Sequence, residues 1–143
     1  MQKRSIEEHL ALEGVHLLPA QGDSMYPALR NGDLVTLRPI PQISDLQIGD
    51  IVLYRREDGV LVLHRILKRM NTELVLNGDN CTYFEYPTQE QLIGILESYQ
   101  RDGIQLTPQR LIHQFYLWFW YRPWRLRFFL LKVFRKLAKL RGR

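Results

Sequence analysis

The sequence predicts a mainly β body with a short N-terminal helix and a basic amphipathic helical tail. Three observations carry this. Short runs rich in Val, Ile, Leu and Tyr recur at close spacing up to about residue 106, and turn residues separate them. Beyond Pro108 the apolar period changes to that of a helix. Charge divides at the same place. Residues 1–106 hold ten Lys/Arg against fifteen Asp/Glu, and residues 107–143 hold ten Lys/Arg and no acid. The expected division is therefore a body over 1–106 and a tail over 107–143, with different partners. A chain of 143 residues suits a single core of modest size.

The elements follow in order. "SIEEHLAL" (5–12) reads as a short helix, with Ser5 as cap and Glu8 at the spacing of a capping box. "LVTLR" (34–38), "DIVLYRR" (50–56), "VLVLHRILKR" (60–69), "ELVLN" (73–77) and "LIGILESY" (92–99) read as strands. "EDG" (57–59), "MNT" (70–72) and "RDG" (101–103) separate strand runs as turns, and Asp58-Gly59 is expected to form a type I′ hairpin pair. Gly-Asp occurs four times, at 22–23, 32–33, 49–50 and 78–79, which by itself is turn chemistry. The single Cys81 excludes an internal disulfide and a thiolate metal cluster. "MQKRSIEEHLALEGVHLL" mixes charges through its apolar residues and lacks the apolar core of a secretory signal.

"QGDSMYPALRNGD" (21–33) places Ser24 in a stiffened turn. Gly22 permits close passage of another chain, and Pro27 restricts Tyr26. Most serines in such turns are structural. A nucleophilic serine needs a base to take its proton and N–H donors for the oxyanion. Of the four histidines, His9 lies on the N-terminal helix, His16 on a strand leading away from Ser24, and His113 in the aromatic tail. His64 stands in the middle of the strand "VLVLHRIL", where it either faces solvent or faces a cleft as a general base. Only Lys3 and Lys68 precede the tail, and Lys68 lies roughly 13 Å along the strand from His64.

The ordered set "GDSMYPAL", "NGDLVTLRP", "IGDIVLYRR", "VLHRIL" and "NGDN" resembles the signal peptidase I / LexA-type serine peptidase superfamily, over residues 15 to about 99. A histidine followed by Arg65 on the base-bearing strand is similar to the endoplasmic-reticulum, archaeal and sporulation-type signal peptidases. The resemblance implies Ser24 as nucleophile, His64 as base, and Asp79 or Glu85 as the carboxylate that orients the imidazole. It also implies a site lined by Gly22, Asp23, Met25 and Pro27, an extended peptide bound as an added strand, small residues before the cut, and no metal or organic cofactor. The expected activity is that of a serine endopeptidase acting on a leader, signal-type or other precursor peptide. The alternative is a non-catalytic member that binds peptide or membrane. Two departures from the family pattern are Glu85 where an aspartate is usual and Gly22 where many members carry a hydroxyl.

The tail reads as two helical segments broken near Pro123. Beyond it, Leu126, Phe129, Leu130, Val133, Phe134, Leu137 and Leu140 form one stripe, with Arg125, Lys132, Arg135, Lys136 and Lys139 on the other side. "LIHQFYLWFWY" (111–121) is too short to span a bilayer. Three roles compete: packing of the stripe on the body, peripheral contact with an anionic membrane through Trp118, Trp120, Trp124 and the cations, and nucleic-acid binding, which the continuous apolar stripe disfavours.

Overall fold

The computed structural model describes residues 5–71, 73–108 and 115–141. His113 and Lys3 lie outside the described residues. The first helix, α1, covers Ile6–Glu13. Ser5 accepts from the Glu8 N–H while Glu8 accepts from the Ser5 N–H, so the capping box is complete. Gly14 ends the helix in the left-handed region at φ 70°.

Seven antiparallel strands follow among the described residues: β1 (His16–Pro19), β2 (Leu34–Arg38), β3 (Ile51–Arg55), β4 (Leu61–Met70), β5 (Glu73–Asn77), β6 (Leu92–Arg101) and β7 (Ile104–Leu106). They form one sheet in the order β1-β2-β6-β3-β4-β5, with β7 added to β6. β6 is long enough to pair β2 through residues 95–100 and β3 through 92–95, so it links the two halves. Irregularities at Thr36/Leu37, Leu53/Tyr54 and Ile66/Lys68 interrupt the pairing where bulges bend a sheet.

The uninterrupted apolar run of β3 has a packing reason. Ile51 and Leu53 join one core cluster with Leu10, Met25, Leu29 and Leu37, while Val52 and Tyr54 join another with Ile66, Leu74 and Leu76. Alternate side chains therefore leave β3 for two cores, and neither face meets water.

The β3–β4 hairpin forms as expected, but its turn differs. Gly59 alone of the Asp58-Gly59 pair takes a positive φ, 84°. The Gly59 N–H donates to the Arg56 carbonyl and the Arg56 N–H to the Val60 carbonyl, both at 2.9 Å. A connection of this length needs one left-handed residue, whereas the two-residue β6–β7 turn needs two. Asp102 at φ 50° and Gly103 at φ 76° supply them.

The tail breaks at Arg122–Pro123 as predicted. A π-helical turn covers Leu117–Tyr121, and the second α-helix, α2, covers Trp124–Arg141. No helix among the described residues is long and apolar enough to cross a membrane. The packing of α2 departs from the expected stripe. Arg127 and Leu131 are its buried residues, with Tyr121 buried in the preceding turn, while Leu126, Phe129, Phe134, Leu137 and Leu140 are more than half exposed. α2 meets the body through aromatic contacts of Trp124 and Phe128 with Phe84, and through Arg127, whose guanidinium donates to Asn77 Oδ1 and lies over the Tyr121 ring at 4.6 Å. The guanidinium is held there by Asn77 and by the Tyr121 and Phe128 rings. Its Nε and Nη1 are buried without a hydrogen-bond partner among the described residues, and burial lowers its pKa.

Candidate active site

The four Gly-Asp pairs serve four separate structural purposes, and the first of them lines a cleft. Ser24 sits in the long β1–β2 connection, whose neck is closed by Ala20 N–H to the Asp33 carbonyl and Gly32 N–H to the Ala20 carbonyl, both 2.8 Å. Arg101 grips the Asp33 carboxylate with Nε at 3.0 Å and Nη2 at 2.5 Å. Gly22 takes φ 76°, and its N–H donates to Asn31 Oδ1. Met25 points inward and is 4 % exposed, anchoring the turn in the core. The Tyr26–Pro27 peptide is cis. At 49–50, the Gly49 N–H and the Asp50 carbonyl bond Ile66 and so tie β3 to β4.

The fourth pair clasps the serine. The Asn80 N–H donates to the Ser24 carbonyl at 2.9 Å, and Asn80 Nδ2 donates to the Asp23 carbonyl at 3.1 Å. A Cβ on Gly78 would stand 2.6 Å from the Ser24 carbonyl oxygen and 2.8 Å from His64 Nε2. The Ser24 backbone and the imidazole therefore meet across the hydrogen of Gly78, and no larger residue fits between them. Here glycine is required by close approach rather than by its φ.

His64 is fully buried. Its Nδ1 lies 2.8 Å from Glu85 Oε2 and 3.2 Å from the Tyr54 hydroxyl. That hydroxyl donates to Glu85 Oε2 in a short contact, and Arg56 Nε donates to Glu85 Oε1 at 2.5 Å. The Glu85 backbone is fixed on β5 by paired bonds with Leu76. Burial raises the Glu85 pKa, but Arg56, Tyr54 and His64 together pull it below the usual carboxylate value. An ionised Glu85 only accepts, so Nδ1 carries the proton and Nε2 keeps its lone pair on the Ser24 side. Burial, partly offset by Glu85, lowers the His64 pKa to about 4, so the ring is neutral at pH 7.

Asp79 is engaged elsewhere. Its carboxylate is fully buried and takes a bidentate pair from Arg65, with Nε at 2.9 Å and Nη2 at 2.8 Å. Tyr116 Oη also donates to it at 2.8 Å. The structure thus brings Glu85, and not Asp79, to His64. Burial disfavours the Arg65 cation, but the Asp79 charge and hydrogen bonds outweigh it and hold its pKa up.

A cleft of about 270 Å³ runs beside these groups. Gly22, Asp23, Ser24, Met25, His64 and Tyr83 are among its walls, and Pro27 is not. β5 pairs with β4 only from Arg65 onward, so Leu61–His64 bond β3 on one side and line the cleft with the other. The Ser24 N–H has no acceptor among the described residues. Cys81 Sγ stands 4.0 Å from His64 Nε2 and 3.8 Å from the Ser24 carbonyl oxygen, and burial pushes its pKa up, so it remains a thiol. His9 and His16 face each other at 5.2 Å between ring centroids, outside the cleft.

Sequence reasoning missed Tyr54, Arg56, Gly78 and Asn80. One signal was available: a hydroxyl-bearing ring ending the aliphatic run "IVLY", on the strand that neighbours His64.

A family model described as Peptidase S24-like matches residues 4–96, which is most of the chain. No curated protein matches it. The chain belongs to the Peptidase S24-like family, which makes it a serine-type peptidase.

Proposed function

We propose, on the premise that this chain is a Peptidase S24-like protein, that it is an endopeptidase which cuts a leader- or signal-type precursor peptide with Ser24, His64 and Glu85. The observation that carries this reading is the 2.8 Å contact of His64 Nδ1 with Glu85, which leaves Nε2 unprotonated on the side where the Ser24 turn is clasped, with only the Cys81 thiol near it at 4.0 Å. Ser24 Oγ attacks the scissile carbonyl carbon while Nε2 takes its proton. Glu85 holds the ring and stabilises the imidazolium. Backbone N–H groups, including that of Ser24, take up the oxyanion, which suits the absence of a hydroxyl at Gly22. The proton then passes to the leaving amine, and water attacks the acyl-Ser24 with His64 again as base.

Among the described residues His64 Nε2 meets Cys81 Sγ, at 4.0 Å, and makes no hydrogen bond to Ser24 Oγ. Catalytic hydrogen bonds commonly tighten only when substrate is bound. The free edge of Leu61–His64 favours an extended peptide added as a strand. The test is cleavage of an Ala-x-Ala-type peptide at neutral pH by the purified chain. Ser24→Ala and His64→Ala are each expected to abolish it, while Cys81→Ala stays within a few-fold of wild type. Cleavage that survives Ser24→Ala refutes the assignment. A wild-type chain that binds the peptide without cutting it supports the non-catalytic alternative.

A further inference from the structure

We infer that the outward face of α2 docks on an anionic lipid surface. At 3.6 residues per turn, α2 divides into three faces. Trp124, Arg127, Phe128 and Leu131 meet the body. Leu126, Phe129, Leu137 and Leu140 face away from it, Phe134 edges this ridge on the side opposite the cations, and all five are between 51 % and 61 % exposed. Arg125, Lys132, Lys136 and Lys139 are exposed along a flank between the two, and none pairs with a carboxylate among the described residues. The preceding turn adds Phe115, Trp118 and Phe119, all more than 60 % exposed. An 18-residue helix is about 27 Å long and, being too polar to cross a bilayer, can lie along its interface with apolar ridges down and cations at headgroup depth.

Charge selects the occupant. The tail holds ten cations and no acid, whereas the body carries five more acids than cations. An anionic surface therefore attracts the tail and repels the body, which orients the molecule. A second copy laid on the same face would bring two cationic flanks together. Not every tail cation is available to lipid. Arg127 is buried, and Arg135 donates to the Asn80 carbonyl at 2.5 Å. That second bond ties the lipid-facing helix to the loop that clasps Ser24.

The test is co-sedimentation of the full chain carrying Ser24→Ala, so that the result is independent of peptidase activity. The probe is vesicles of phosphatidylcholine with about a third phosphatidylserine. Binding is expected with a blue shift of tryptophan emission, at least tenfold weaker partitioning to pure phosphatidylcholine, and a similar loss at about 0.5 M salt. Lys132→Glu/Lys136→Glu/Lys139→Glu and Phe129→Ser/Phe134→Ser are each expected to weaken binding at least tenfold with unchanged circular dichroism. No binding to the anionic vesicles overturns the inference. So does concentration-dependent self-association that Phe129→Ser/Phe134→Ser abolishes, or binding to single-stranded nucleic acid in place of vesicles.

Discussion

His64 and Arg65 are neighbours on β4, point to opposite faces of the strand, and are both fully buried. Each takes a carboxylate from the same short segment, Glu85 for His64 and Asp79 for Arg65. The surroundings differ. Around His64 there is a cleft, a neutral imidazole with an unprotonated Nε2, and a serine turn. Around Arg65 there are Tyr116, Tyr121 and the Gly49 carbonyl, with its charge compensated in place. A titratable group beside a cleft can move a proton, whereas a guanidinium locked bidentately in a closed core can only hold parts together. On the proposed function, these two pairs, whose bases are adjacent and whose carboxylates stand six residues apart, divide into chemistry and scaffold.

The largest expected effect is on the chemical side. Glu85→Gln keeps the volume but removes the charge and, with the amide oxygen held by Arg56, turns an NH2 donor toward Nδ1, which favours the wrong tautomer. The kcat is expected to fall by about 10³–10⁴ with the fold intact. Steady-state kinetics alongside circular dichroism measure both. On the scaffold side, Asp79→Ala leaves a buried cation without its partner, and denaturant unfolding is expected to show a loss of about 3–5 kcal/mol. Gly78→Ala joins the two sides, because its methyl group forces Ser24 and His64 apart. A displacement near 1 Å is expected to lower kcat/KM by about 10².

The pH profile separates the pairs further. His64 must be neutral to accept a proton, and its folded pKa of about 4 lies below the ordinary 6.5. Activity is therefore expected to hold below pH 6.5 and to fall only toward about 4. Between those values the unfolded chain binds the proton first, so this histidine's contribution to stability is present above 6.5 and is lost on acidification through the window. The smallest effect expected is that of Tyr54→Phe, which removes one hydrogen bond to Glu85 and costs about 1 kcal/mol, or about fivefold in kcat.

Much of this was legible in the sequence, and the reason differs by residue. His64 stood out because a titratable residue interrupts an aliphatic strand, and Ser24, an ordinary turn serine by itself, through the ordered motifs around it. The strands showed because their apolar runs are local. The division of labour between Asp79 and Glu85 did not show. Both lie within a loop's reach of β4, and only the alternation of His64 and Arg65 across the strand decides which carboxylate meets which base. Gly78 looked like turn chemistry because its role is a contact with Ser24, 54 positions earlier in the chain. The docking of α2 was hidden for a similar reason. Periodicity marks an apolar stripe, but not that a buried Arg127 would be what meets the body.

The most direct measurement is the rate at which a fluorophosphonate probe labels the chain, with the modified residue located by peptide mass spectrometry. Labelling is predicted at Ser24, slowed at least 100-fold by His64→Ala and by Glu85→Gln, and changed only a few-fold by Asp79→Asn in chain that remains folded. Labelling that Asp79→Asn slows as much as His64→Ala does, while Glu85→Gln leaves it unchanged, would contradict the account.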